Sequence, residues 1–242
     1  MSIFTFAEEH RDALIPIEGN IPDPRIIETL KKRKIDGLRS IQMAAIELGL
    51  FFRQNFLICT ASGSGKTLIG ELAIAYSALN KFGKGIYLVP YKAIAVEKYH
   101  LFKNEYGPYG LKVALCSGAS ETEAEELADA SIIVTTYEKL DSILRSATFG
   151  GMKWIHSISS VVIDEIHVMG EPGRGPRLES LIIRLTEKIS AVQIIALSAT
   201  IANPEFFADW LGKLGKPFIV IKSDYRPIPL QYEIRTYDNK DS

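Results

Sequence analysis

The sequence predicts an α/β fold in which a mostly parallel sheet carries helices on both faces. Three observations lead there. Short, continuous apolar runs such as Ile86-Tyr87-Leu88-Val89 and Ile194-Ile195-Ala196-Leu197 alternate with amphipathic stretches along the chain. Strands that are apolar on both sides belong to parallel sheets covered twice. Next, the apolar run Phe56-Leu57-Ile58-Cys59 enters a small-residue loop, Thr60-Ala61-Ser62-Gly63-Ser64-Gly65, and a helical pattern begins at Lys66-Thr67. Last, the strand-like Val161-Val162-Ile163 stops at the paired acids Asp164-Glu165.

Taken in order, residues 1–24 hold Pro16, Pro22 and Pro24 and read as an irregular lead-in. Pro24 suits the first turn of a helix through Ile26, Ile27 and Leu30. That helix ends in Lys31-Lys32-Arg33-Lys34, read as a solvated end favoured by the helix dipole, with a nucleic-acid patch as the alternative. Ile41, Ala44, Ala45 and Leu48 have helical spacing up to Gly49. Beyond the glycine loop, strands are expected at 86–89, 113–116, 132–135, 161–164, 194–197 and 218–221. Helices are expected at 93–102, 121–129, 140–144, 178–189 and 204–211. One α/β domain over residues 25–222 takes nearly everything.

Composition narrows the function classes. The chain has 242 residues, 47% hydrophobic and 24% charged, with a formal net charge of −1. That supports a substantial core but no overall field for a polyanion, so nucleic acid would have to meet a local patch. Cys59 and Cys116 match no metal spacing and read as buried thiols in a reducing compartment. No apolar run approaches a membrane span, and the acidic N-terminus lacks a signal-peptide form. A cytoplasmic protein follows, nucleoid-associated if it acts on DNA.

The glycine loop is a phosphate cradle. Gly63 and Gly65 leave backbone N–H groups free to turn around phosphate oxygens, and Ser62 and Ser64 share that loop. The helix dipole adds to the attraction. Lys66 is placed to reach the β- and γ-phosphates, and the Thr67 hydroxyl to ligate Mg²⁺. Thr60 stands where the strict pattern has its first glycine. At the end of its strand, Asp164 would face that Mg²⁺, and Glu165 would take a proton from an attacking water. His167, taken alone, is a hydrogen-bonded structural histidine.

Asp164-Glu165-Ile166-His167 beside this loop resembles motif II of the superfamily 2 helicases, in the DExH form. Arg39-Ser40-Ile41-Gln42 resembles the Q motif, Pro90-Tyr91-Lys92-Ala93-Ile94-Ala95 motif Ia and Cys116-Ser117-Gly118 motif Ib. Thr135-Thr136-Tyr137-Glu138-Lys139-Leu140 resembles the next strand-end motif, and Ser198-Ala199-Thr200 motif III. With Arg174-Gly175-Pro176-Arg177-Leu178-Glu179 and Tyr225-Arg226-Pro227-Ile228-Pro229-Leu230, the set is similar to the Ski-like branch, including archaeal repair helicases of the Hjm type.

The resemblance implies a single RecA-like P-loop domain that takes ATP and Mg²⁺, with Gln42 reading the adenine edge. It implies coupling of hydrolysis to movement through His167, Ser198 and Thr200. It also implies a single-stranded or forked nucleic acid tracking along Pro90, Lys92, Gly118, Thr136 and Lys139, DNA ahead of RNA. Lys92 stands where arginine is usual and Tyr137 where proline is usual; Tyr137 reads as a packing residue, with base stacking as the alternative. Residues 223–242 would begin the connection to a second RecA-like domain that supplies arginines, without which ATP is bound but barely hydrolysed. The alternatives are an RNA helicase of the same branch, or a nucleotide-gated nucleic-acid binding module that does not translocate.

Overall fold

The computed structural model describes residues 2–6, 14–116, 121–146, 153–189, 191–199, 201, 203–215 and 217–223. Ten strands occur among them: β1 (Ser2–Phe6), β2 (Ile15–Pro16), β3 (Gly37–Leu38), β4 (Asn55–Thr60), β5 (Lys84–Val89), β6 (Val113–Cys116), β7 (Ile132–Thr136), β8 (Ile158–Ile163), β9 (Gln193–Ser198) and β10 (Phe218–Ser223). Eight helices run between them: α1 (Pro24–Lys32), α2 (Ser40–Glu47), α3 (Lys66–Leu79), α4 (Lys92–Tyr106), α5 (Glu121–Asp129), α6 (Tyr137–Ser146), α7 (Gly175–Lys188) and α8 (Pro204–Lys213).

Eight strands form one sheet in the order β1-β10-β4-β9-β8-β5-β7-β6, every neighbouring pair parallel. β2 and β3 make a separate antiparallel pair. The period-2 alternation of each strand divides its side chains between two apolar layers. Phe56, Ile58, Tyr87, Val89, Val162 and Ile195 face the layer built by α1 to α4. Leu57, Cys59, Ile86, Leu88, Val161 and Ile194 face the layer built by α5 to α8. Both cysteines are buried and free, and burial pushes the Cys59 thiol up to about 12, so it stays protonated and inert. No described helix is long and apolar enough to cross a membrane.

Residues 1–24, expected to be irregular, depart from that reading. Ser2–Phe6 is the edge strand of the main sheet, in register with Ile219 to Ser223, and Ile15–Pro16 pairs with Gly37–Leu38. The prolines sit only after position 15, so they leave Ser2–Phe6 free to pair. An edge partner more than 200 residues away leaves no local sequence trace. The other expected elements fall where predicted, with ends that differ by up to about four residues in either direction.

Helix α3 carries the phosphate loop at its head and is apolar nearly all round, because it lies between the sheet and α1 and α2. Gly70 lets it approach closely: a Cβ there would lie 2.8 Å from Val162 Cγ1 and 3.2 Å from Leu197 Cδ1. Its one buried acid, Glu71, accepts hydrogen bonds from Arg33 Nη1 and, at 2.8 Å, from Tyr106 Oη. Lys31 pairs with Glu18 and Lys32 with Glu28, so the basic run at the end of α1 is largely engaged within the protein. Its arginine anchors α3 rather than offering charge to a polyanion. Removing that partner strands a buried carboxylate, so Arg33→Ala should cost about 3 kcal/mol, the low end for a broken buried pair because Arg33 is partly exposed. Urea unfolding of Arg33→Ala and of Arg33→Ala with Glu71→Leu tests this. The double variant should recover most of the loss; a single variant within about 0.5 kcal/mol of the parent would rule the anchor out.

Candidate nucleotide and nucleic-acid sites

β9 is hydrogen-bonded to β4 on one side and β8 on the other, so the ends of β4 and β8 lie two strand spacings apart, about 10 Å. From the end of β4 comes the loop with Gly63 at φ +79° and Gly65 at φ +92°, the left-handed region open to glycine. Ser62 and Gly63 are exposed, Ser64 and Lys66 buried and Thr67 half-buried. The Thr60 and Ser64 hydroxyls lie 2.6 Å apart, both buried. The departure from the strict glycine pattern thus closes the base of the loop with a hydrogen bond. Lys66 makes no hydrogen bond or ion pair among the described residues, although it is only 6% exposed. An ammonium that has no protein partner is available to an incoming anion.

The loop is clamped from the side by α2. Gln42 Oε1 accepts from Arg39 N at 2.8 Å, and Gln42 Nε2 donates to Gly65 O at 3.0 Å. Arg39 Nη1 donates to Gly63 O. A Cβ on Gly65 would meet Gln42 Nε2 at 2.4 Å, so this contact is closed to any other residue. One lone pair and one N–H of the carboxamide are engaged within the protein, leaving the others for a base. Gln42, Arg39, Gly65, Thr67, Glu71 and Lys98 line a cleft of about 490 Å³.

Opposite the loop, Asp164 extends the β8 ladder, its N–H donating to Leu88 O at 2.9 Å. Its carboxylate is buried and accepts from Tyr87 Oη at 3.0 Å and from Glu165 N at 3.1 Å. Burial raises the Asp164 pKa above the usual carboxylate range, against the Tyr87 hydrogen bond, which lowers it. Burial and the same carboxylate hold the Tyr87 phenol far above its ordinary value, so it stays a donor. Such a carboxylate gains from a divalent cation, and Asp164 with Thr67 offers the hard oxygen donors that Mg²⁺ takes. Among the described residues no group of three or more His, Cys, Asp or Glu forms a metal cluster by itself.

Glu165 follows in the left-handed region at φ +53°, uncommon for a residue with a side chain. Its buried Oε2 has no hydrogen-bond partner, and His167 Nδ1 lies 3.2 Å away without hydrogen-bond geometry. Backbone strain and an orphaned acceptor together mark a residue positioned for something other than stability. Ser198, at the end of β9 between the two, is fully buried with its hydroxyl also unpartnered. No hydrogen bond joins it to His167 among the described residues; Thr200 lies outside them.

At the other end of the same edge, β5, β7 and β6 lie side by side. A cleft of about 540 Å³ runs along their carboxyl ends, lined by Lys92, Val96, Cys116, Thr136, Glu138 and Lys139 among others. The structure therefore brings Lys92, Thr136 and Lys139 together. Pro90 is buried behind them, its carbonyl accepting from Arg174 Nη2 at 2.7 Å, and Gly118 lies outside the described residues. Tyr137 is buried, and its hydroxyl donates to Asp164 O. It is a packing residue that ties the head of α6 to the acidic turn, not a base-stacking one. Sequence reasoning gave no role to Tyr87 or Arg174, and read Tyr137 as a packing residue without finding its partner. A lone tyrosine in the aliphatic run 86–89 was the one available signal.

Proteins similar to this chain in sequence and fold are helicases. The DEAD/DEAH box helicase family model matches residues 39–207. The ATP-dependent DNA helicase Hel308 of Pyrococcus horikoshii is 44% identical over 209 residues, 86% of this chain and 27% of that protein. The Hel308 of Methanocaldococcus jannaschii is 44% identical over 215 residues, 86% of this chain and 17% of that protein. The chain thus spans about a quarter or less of the length of these relatives. A solved structure of the DUF1998 helicase MrfA bound to DNA and AMPPNP superposes with a TM-score of 0.70 at 26% identity, over 86% of this chain and 30% of that one.

The hydroxyl pair at the base of the loop is open to direct test. Thr60→Val leaves the buried Ser64 hydroxyl without its partner and should cost about 1–3 kcal/mol, whereas Thr60→Val with Ser64→Ala removes both and should be nearly neutral. Equal urea midpoints for the single and double variants would show that the pair does not hold the loop.

Proposed function

The chain belongs to the DEAD/DEAH box helicase family, and on that premise we propose that it is the ATP-binding motor domain of a DNA helicase. The observation that carries this reading is the convergence, across the width of β9, of a buried unpaired lysine, the buried Asp164 and the half-buried Glu165 on one gap. Phosphates fit that gap. The loop N–H groups between Gly63 and Thr67 and the Lys66 amine hold the β- and γ-phosphate oxygens. Thr67 and Asp164 would hold Mg²⁺, which would supply positive charge to offset the negative charge that develops on the phosphates. Glu165, with its free Oε2, takes a proton from the attacking water. The nucleoside half lies against Gln42 in the adjoining cleft.

The second cleft is proposed as the track of a nucleic-acid strand. Lys92 and Lys139 contact phosphates, and Thr136 offers a hydroxyl, contacts that position without reading sequence. DNA is preferred to RNA because the relatives at 44% identity are DNA helicases. Ser198, Thr200 and His167 are proposed to couple hydrolysis to movement, and the unpartnered Ser198 hydroxyl supports a role that needs a changing partner. Translocation is proposed for a protein of the relatives' length rather than for these 242 residues alone.

Two measurements test the reading. Lys66→Ala should weaken binding of a fluorescent ATP analogue roughly 10- to 100-fold, the worth of a charge-assisted hydrogen bond or two. Glu165→Gln should leave that affinity in place and reduce turnover, whatever its absolute level, by about 10²–10⁴. Unchanged affinity in the lysine variant would displace the phosphates from this loop. On the second cleft, single-stranded DNA binding should fall steeply with salt, and Lys92→Ala should lower the magnitude of the log–log slope by about one. A slope equal to the parent's would place Lys92 off the track.

A further inference from the structure

Tyr91 sits between Pro90 and Lys92, at the N-cap of α4 where β5 ends. On β5 and α4 the aromatic residues Tyr87, Phe102 and Tyr106 are wholly buried and Tyr99 is half-buried, whereas Tyr91 is 55% exposed. The core does not need its ring. Yet the ring is not left loose, because the guanidinium carbon of Arg174 lies 5.0 Å from its centroid.

Arg174 is itself fixed. Its Nε donates to Glu138 Oε1 at 3.2 Å, its Nη2 donates to Pro90 O at 2.7 Å, and its Nη1 lies 3.5 Å from Glu171 Oε2. Three anchors on three different segments hold the planar cation where it meets the Tyr91 ring. A guanidinium stacks on an aromatic face and attracts it electrostatically. Here it supports the ring from one side and leaves much of the residue open to solvent. Glu138, one of the anchors, and Lys92, the next residue in the chain, both line the cleft at the ends of β5, β7 and β6. The supported ring therefore stands at the rim of that cleft, beside a lysine placed for phosphate.

We infer that Tyr91 is a stacking platform for one base of the single strand whose backbone lies in this cleft, with Arg174 as the positioning residue that presents the ring. The inference rests on the reading of the cleft as a nucleic-acid track. It adds a contact of different chemistry: every base has a π-face, so stacking tolerates any sequence but requires a base. A phosphate contact, by contrast, requires only the backbone and releases counterions. The role that the buried Tyr137 cannot fill falls to the exposed tyrosine at the neighbouring strand end.

That difference sets the experiment. Fluorescence anisotropy would compare the 242-residue chain on a labelled oligothymidylate and on an abasic strand of equal length and phosphate number, each over a salt series. The parent should bind the base-bearing strand more tightly. Tyr91→Ala should weaken that binding roughly 5- to 30-fold with an unchanged salt slope and leave abasic binding as it was. Tyr91→Phe, which keeps the ring, should retain the parent's preference. Arg174→Gln should lower the preference while Tyr91 is intact. Thermal unfolding by circular dichroism checks each variant, and Tyr91→Leu serves if the alanine variant unfolds. A parent that binds both strands equally, or a Tyr91→Ala variant that keeps the parent's preference, overturns the inference while leaving the track reading in place. Loss of one unit of salt slope in Tyr91→Ala also overturns it. Failure of the parent to bind either strand defeats both readings.

Discussion

The rest of the structure depends on the width of one strand. With β9 between them, β4 and β8 cannot deliver their ends closer or farther than two ladder spacings, and the register between the three strands sets their relative height. A loop that offers backbone N–H groups and a turn that offers carboxylates then face each other across a fixed gap. No side-chain adjustment is needed to form it. The gap is a property of the sheet, and burial on both faces makes the sheet rigid.

Each side of the gap carries groups that would be unfavourable without a ligand. Lys66, Asp164 and Ser198 are buried and Glu165 is half-buried, and each lacks a partner, is strained or has its charged form disfavoured. The surroundings hold them in place by hydrogen bonds that are ordinary singly. Gln42 and Arg39 fix the loop carbonyls, Thr60 and Ser64 close its base, and Arg33 with Tyr106 anchors the helix behind it. On the acidic side two tyrosine hydroxyls from neighbouring elements hold Asp164, Tyr87 at the carboxylate and Tyr137 at the carbonyl. At about 1 kcal/mol net for each neutral bond, such a set is comparable in size to the cost of the strained groups it restrains. Tyr137 also begins α6, whose Glu138 and Lys139 line the other cleft, so the two clefts share a rigid element.

Most of the fold was legible in the sequence because both faces of the sheet are covered. Continuous apolar runs then mark the strands, and the glycine loop and paired acids mark two of their ends. What could not be read was non-local or polar. The edge strand Ser2–Phe6 finds its partner at the far end of the chain. β8 begins at Ile158, earlier than expected, since Ser159 and Ser160 hide its first half. The burial of Ser159 is satisfied by Ser77 Oγ, 2.6 Å away on α3, which no pattern in either segment announces. In the site, the loop residues Gly63 to Thr67 and the acids Asp164 and Glu165 were legible from type and spacing, whereas Gln42, Lys92, Thr136 and Lys139 came only from the family resemblance. The holding roles of Tyr87 and Arg174, and the hydrogen bond made by the packing residue Tyr137, were not legible, because their partners are backbone atoms and acids supplied by other segments.

The central claim is that one cation joins the loop to the acidic turn across β9. A crystal of the chain grown with a non-hydrolysable ATP analogue and Mn²⁺ in place of Mg²⁺ tests it most directly, through the anomalous signal of the metal. The account predicts a single strong peak within coordination distance, about 2.0–2.3 Å, of Thr67 Oγ1 or a water it holds, next to the Asp164 carboxylate, with the phosphates inside the Gly63–Thr67 loop. A metal peak remote from Asp164, or phosphates bound outside that loop, would contradict it.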